Sequence, residues 1–159
     1  MDAALDTHAE NRQMLAELGA GDLTLAELQG LGPELGEAIL RAAEAELEAG
    51  RLQNARTILE GVVITNHKDP DGWALLSIAH RRLGHPLAAR FCAEVATRLA
   101  PEAPWVRLTR AESLLSLPGQ RDLARTELTA LGSDGRVGAR ARSLLAAPTR
   151  LRSDPRRKS

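Results

Sequence analysis

The sequence of 159 residues is poor in aromatic side chains and in cysteine. It has no tyrosine, one phenylalanine, two tryptophans and a single cysteine, Cys92. Strands are enriched in aromatic and β-branched residues, whereas Ala, Leu, Glu and Arg, which dominate here, favour helices. A single cysteine excludes an internal disulfide framework and a multi-cysteine zinc site. These absences predict an all-α fold.

The chain also lacks a net charge and a long apolar run. Its 21 Lys and Arg side chains balance 21 Asp and Glu side chains, which argues against a surface built throughout for nucleic acid or an anionic membrane. No stretch approaches the roughly 18 consecutive apolar residues of a membrane span, and the first residues are acidic where a signal peptide is basic. We therefore expect a cytoplasmic protein without direct membrane insertion.

A glycine and an alanine recur together at a period of about 34 residues. Gly50, Gly84 and Gly119 each precede an alanine by five residues. Tetratricopeptide repeats have this period. In each repeat the glycine ends the first helix of a pair, and the small alanine lets the second helix approach closely. The three predicted repeats, each a helical hairpin, span residues 36–69, 70–103 and 104–132.

The same patterns divide the chain into helices and flanking segments. The predicted repeat helices cover 36–49, 52–65, 71–83, 86–99, 104–117 and 121–131. Residues 1–35 are predicted to form an N-terminal helical segment, in which a capping box at Thr24 and Glu27 opens a short helix. Residues 133–147 are predicted to hold a helix that caps the last repeat. Residues 148–159 are basic, and we expect them to be disordered.

The polar residues show no arrangement typical of catalysis or metal binding. No two of the four histidines have the i, i+4 spacing of two ligands on one helical face. The glycines between Gly30 and Gly36 lack the preceding strand that a nucleotide-binding loop requires. Cys92 lies on a predicted helix, where a buried, inert thiol is the common case. The basic segment lacks interleaved aromatics for base stacking. We predict no enzymatic activity, cofactor, metal or nucleic-acid partner.

The first helices of stacked repeats line a concave groove, which is the usual binding site for an extended or helical peptide. The repeat register predicts nine groove-facing side chains: Leu40, Glu44, Leu47, Ala74, Ile78, Arg81, Leu108, Glu112 and Leu115. The alternative for any one of them is packing in the core between helical pairs. The predicted lining is aliphatic with a few charges.

Three short segments occur in the order of motifs in a known family. Residues 21–28 read Gly-Asp-Leu-Thr-Leu-Ala-Glu-Leu, similar to a glycine turn followed by a Thr-x-Ala-x-Leu helix. Residues 66–69, Asn-His-Lys-Asp, are similar to an Asp-His-x-Asp stretch between the first two repeats. Residues 110–115, Arg-Ala-Glu-Ser-Leu-Leu, are similar to an Ala-Ala-Glu-Cys-Leu-Leu helix. From Gly21 to Leu131 the chain resembles the class II chaperones of bacterial type III secretion, the SycD/LcrH family.

This resemblance implies a function and an assembly. The family binds translocator proteins, so we expect a chaperone that holds an extended client segment in the groove and keeps the client soluble before export. A homodimer formed through the N-terminal helices is also implied. Its expected contacts are Leu5, Met14, Leu15 and Leu18. The family places Tyr and Phe where this chain has Leu40, Glu44 and Leu47, so we expect a less aromatic pocket. The alternative function is that of a general tetratricopeptide adaptor for folded partners or carboxy-terminal peptides.

Overall fold

The computed structural model describes residues 12–147, and every regular element within that range is a helix. These helices are α1 (12–20), α2 (Leu25–Leu28), α3 (Pro33–Glu48), α4 (Leu52–Thr65), α5 (Pro70–Arg82), α6 (Pro86–Leu99), α7 (Pro104–Leu115), α8 (Arg121–Leu131) and α9 (Gly138–Ala146). The predicted all-α class is confirmed. Leu5 and the basic segment 148–159 lie outside the described residues.

The three predicted hairpins are present as α3–α4, α5–α6 and α7–α8, and α9 packs against α8. Each hairpin turns at one of the periodic glycines. Gly50, Gly84 and Gly119 have φ values of 76°, 80° and 70°, in the left-handed region that favours glycine because it has no Cβ. The helix bounds differ slightly from expectation: α3 begins at Pro33, three residues early, and α7 ends at Leu115, two residues early.

The helix starts follow local chemistry. Proline occupies the first turn of α3, α5, α6 and α7, where its missing N–H costs nothing. Asp69 caps α5 by accepting hydrogen bonds from the backbone N–H groups of Asp71 and Gly72. The predicted capping box is also formed. Thr24 Oγ1 accepts from the Glu27 N–H at 3.1 Å, and the Glu27 carboxylate accepts from the Thr24 N–H at 2.7 Å.

Alanines at the helix crossings hold the hairpins tightly together. Ala55, Ala89 and Ala124, which follow the three turn glycines, are all fully buried. Ser77 of α5, also fully buried, donates a hydrogen bond to the Ala89 carbonyl of α6 at 2.8 Å. One apolar cluster, which includes Leu59, joins α3 to α6, and a second joins α7, α8 and α9. A third cluster of Ala74, Ala96 and Val106 joins α5 and α6 to α7. The continuous core fixes α3, α5 and α7 beside one another.

Candidate functional site

The first helices of the three hairpins, α3, α5 and α7, bound a cavity of about 360 Å³. Seven residues line it, and we call them the concave groove: Glu37, Leu40, Arg41, Glu44, Asp71, Leu75 and Trp105. Pockets of 300–1,000 Å³ are typical of binding sites. The cavity is therefore large enough to take side chains of a bound segment, though not a folded partner.

The floor of the concave groove is apolar and its rim is charged. Leu75 is buried, and Leu40 and Trp105 are half-buried. Trp105 packs against the apolar cluster of α7–α9, which holds part of the indole in place. Such a partly exposed ring offers a large apolar surface to a ligand.

Three carboxylates and one guanidinium surround this floor. Glu37 and Arg41 form an ion pair at 3.4 Å that is open to solvent. Among residues 12–147, no ion pair involves Glu44 or Asp71. Partial burial, together with the neighbouring carboxylates of Asp69 and Glu44, raises the pKa of Asp71. The rim therefore presents negative charge that its own residues do not neutralise.

The structure separates the nine predicted groove residues into four groups. Leu40 and Glu44 line the concave groove. Ile78, Leu108 and Leu115 are half-buried and pack against the two apolar clusters. Leu47 and Ala74 are 5% and 0% exposed, so they belong to the core between helices and are not accessible to a ligand. The alternative that some of the nine pack between pairs is the arrangement observed for these two.

Arg81 and Glu112, the remaining two, are engaged with each other. Arg81 donates to the Glu112 carboxylate at 2.5 Å, and Arg140 donates to its other oxygen at 2.9 Å. Only 11% of the Glu112 side chain is exposed. Glu112 thereby joins α5, α7 and α9, and its carboxylate is occupied by the protein itself.

Sequence reasoning missed five of the seven residues that line the concave groove: Glu37, Arg41, Asp71, Leu75 and Trp105. For three of them a signal was present. Glu37, Asp71 and Trp105 are separated by one repeat period each, so they occupy the same position in the three repeats. That position lies three residues, or nearly one helical turn, before Leu40 and its equivalents Ala74 and Leu108. Extending the predicted set of groove-facing residues by three residues toward the amino end of each first helix would have included all three.

A second, mostly apolar cavity of about 590 Å³ lies between the start of α3 and helix α4. Leu31, Leu35 and Ile39 line it and are themselves substantially exposed. On α1, Met14 and Leu15 are exposed, with Leu15 at 66%, and Leu18 is half-buried. Exposed apolar groups thus accumulate at the N-terminal end of the described chain.

Other chemistry is sparse in residues 12–147. No group of three or more His, Cys, Asp and Glu side chains in this part is arranged to hold a metal ion. None of the helices described is long and apolar enough to cross a membrane. Burial raises the pKa of the Cys92 thiol to about 11, which disfavours the reactive thiolate.

No protein-family model and no curated protein matches the sequence. Solved structures do. The type III secretion translocator chaperone SycD of Yersinia enterocolitica has a TM-score of 0.68 and 18% identity, over 77% of this chain and 96% of SycD. A T3SS complex from Aeromonas hydrophila has a TM-score of 0.71 and 20% identity, over 84% of this chain and 93% of that one.

PcrH in complex with the chaperone-binding region of PopD gives a similar result. Its TM-score is 0.63 and its identity 22%, over 73% of this chain and 92% of PcrH. The match extends over most of both chains in each of these comparisons. The segments that resemble the SycD/LcrH family therefore belong to a chain that has the fold of the translocator chaperones SycD and PcrH.

Proposed function

We propose that the protein is a non-enzymatic chaperone of type III secretion, which binds an extended segment of a translocator in the concave groove. It acts in the cytoplasm and keeps its client soluble before export. The observation that carries this proposal is the fold shared with proteins solved with such segments bound. PcrH was solved with the chaperone-binding regions of PopD and PopB, and SycD with a peptide of the translocator YopD.

The chemistry of the concave groove supports the same function. Leu40, Leu75 and Trp105 provide an apolar floor for a client side chain. Each Å² of apolar surface that the client buries on this floor stabilises the complex by roughly 25 cal/mol. The three helices that carry this floor are fixed by the core, so the site is preorganised and little ordering opposes binding. A segment of a membrane-active client offers the apolar side chains that such a floor takes.

Co-expression with the translocator proteins of the source organism tests the proposal. A translocator that is insoluble alone should become soluble and co-purify with this protein. The Leu40→Asp variant places a charge on the groove floor and should abolish the complex. Leu87→Asp is the matched control, because Leu87 lies on α6 outside the concave groove and is 73% exposed. If no translocator forms a complex, the proposal is wrong. Complexes with folded proteins only would favour the adaptor function instead.

We also propose that the chain forms a homodimer through its N-terminal end, with Leu5, Met14, Leu15 and Leu18 as contacts. Met14 and Leu15 project apolar surface into solvent, and a helix as short as α1 is marginal in water without a partner. Sedimentation at tens of micromolar should give a dimer that Leu15→Glu converts to monomer, with Leu87→Glu as the control. A full-length monomer, or a Leu15→Glu variant that still dimerises, would remove α1 from the interface.

A further inference from the structure

The cavity of about 590 Å³ between the start of α3 and helix α4 shares a wall with the concave groove. We call it the α3–α4 cavity, and its larger aliphatic side chains are Leu31, Leu35, Ile39, Leu40, Ile58 and Val62. Glu37, Leu40 and Asp71 line both this cavity and the concave groove. An extended segment that lies in the concave groove can therefore continue over Leu40 into the α3–α4 cavity.

Two glycines inside helices keep the α3–α4 cavity open. Gly36 of α3 and Gly61 of α4 line it, and a Cβ added at either position would meet no atom within 4 Å. Neither glycine has a positive φ, so the backbone conformation does not require glycine there. Glycine in a helix interior is destabilising relative to alanine, and no close packing offsets this cost at either position. The two glycines leave room for a side chain from another molecule.

The walls of the two cavities are acidic. Four carboxylates line one or both of them, those of Glu37, Glu44, Asp69 and Asp71, whereas Arg41 is the one basic side chain among the described residues that line them. Arg41 pairs with Glu37, and Asp69 caps α5. Partial burial and the neighbouring carboxylates of Asp69 and Glu44 raise the pKa of Asp71. A cation placed beside Asp71 would therefore stabilise its charged form.

We propose that the α3–α4 cavity takes a bulky apolar side chain of the segment that occupies the concave groove, and that an adjacent basic side chain pairs with Asp71. Because the occupant is the client of the proposed function, the assignment rests on that function. It adds a sequence requirement, a large apolar residue beside Lys or Arg. Helix α1 of a second copy matches less well, since its one acidic and one basic side chain, Glu17 and Arg12, offer no excess of positive charge.

Two short peptides probe this chemistry in the full-length protein, acetyl-Leu-Leu-Lys-amide and acetyl-Leu-Leu-Glu-amide. Methyl NMR signals of Ile39, Ile58 and Val62 report occupation of the α3–α4 cavity. The lysine peptide should shift these signals and bind about fivefold more tightly than the glutamate peptide at low salt, the size expected of one exposed ion pair. Asp71→Asn should remove most of this difference.

Gly61→Leu fills the cavity and separates binding from folding. Leucine favours helices more than glycine does, so this variant should melt no lower than the unmodified protein, yet the peptide shifts should disappear. Gly36→Leu, the second filling variant, should act in the same way. Ala42→Leu is the matched control, because Ala42 is exposed on α3 and does not line the cavity. Shifts that persist in both filling variants, or equal affinities of the two peptides, would overturn the proposal.

The translocator segment that co-expression identifies provides a second readout. Gly61→Leu should raise its Kd by at least about tenfold, because the displaced apolar side chain loses its buried surface, and an unchanged Kd would overturn the proposal. Cavity signals that shift with protein concentration in the absence of peptide would place a second copy there and would also overturn it. Failure of co-expression would remove the client and leave the peptide result in place. Failure of the peptides would remove the α3–α4 cavity and leave the concave groove as the proposed site.

Discussion

Replacing Glu112 by alanine should loosen the contacts among three helices at once. Glu112 on α7 accepts hydrogen bonds from Arg81 of α5 and Arg140 of α9. The Arg81 and Glu112 side chains are 25% and 11% exposed, so this pair is well shielded from water. Arg140 is 56% exposed, so its pair with Glu112 is weaker. Removing the carboxylate leaves a half-buried guanidinium without its partner.

The expected cost follows from these two contacts. A hydrogen bond between charged groups in a shielded position contributes about 1.5–3 kcal/mol, and a solvent-exposed pair contributes at most about 1 kcal/mol. The free energy of unfolding of Glu112→Ala should therefore fall by about 2–3 kcal/mol. Glu48→Ala is the control, because Glu48 is exposed at the end of α3, and its free energy of unfolding should change by less than about 0.5 kcal/mol.

Urea unfolding followed by far-UV circular dichroism measures the stability of both variants. If the slope of the free energy of unfolding against urea concentration is unchanged, the variants differ only in stability. A double-mutant cycle with Arg81→Ala should give a coupling energy of about 1 kcal/mol or more. The reasoning fails if Glu112→Ala is as stable as the control, or if the effects of the two substitutions are additive.

Three further predictions concern the core, the thiol and the carboxylate of Glu46. Leu128→Ala should lower the free energy of unfolding by about 2–5 kcal/mol because Leu128 is fully buried. Leu123→Ala on the same helix should lower it by well under half as much. Thermal unfolding measures both variants, and equal losses of stability would contradict this prediction. Burial raises the pKa of the Cys92 thiol to about 11, so Cys92 should react with a thiol reagent at pH 8 only after urea is added. A fast reaction of the folded protein without urea would contradict this prediction. The hydrogen bond from Arg51 lowers the pKa of Glu46 from 4.5 to about 2. The stabilising effect of this bond is therefore present above pH 4.5 and is lost as the pH falls toward 2. An NMR titration of Glu46 should show the lowered pKa, and Arg51→Ala should return it toward 4.5.

The hairpins could be predicted from the sequence because their determinants are local. A glycine at each turn and an alanine five residues later describe a single crossing of two helices, and Gly84 with Ala89 satisfies both requirements within six residues. Proline and aspartate at helix starts are equally local. Elements of this kind depend little on how the hairpins stack.

The composition of the concave groove depended on stacking and was predicted only in part. The rotation of one repeat against the next decides whether a side chain such as Leu47 faces the groove or the next hairpin. This rotation cannot be read from the sequence of a single helix. The pairing of Arg81 with Glu112, 31 residues apart, likewise reflects the offset between α5 and α7. Trp105 was missed because the predicted groove-facing residues of α7 began at Leu108, nearly one helical turn later.

The most direct test of the central claim is the affinity of a translocator segment for the concave groove, measured by isothermal titration calorimetry. Truncating a central aromatic contact costs about 2 kcal/mol or more, which corresponds to roughly 30-fold in Kd. Trp105→Ala should weaken binding by that amount, while Leu87→Ala, on α6 outside the groove, should leave Kd unchanged. Equal affinities of the Trp105→Ala variant and the unmodified protein, with both folded, would contradict the assignment of the groove.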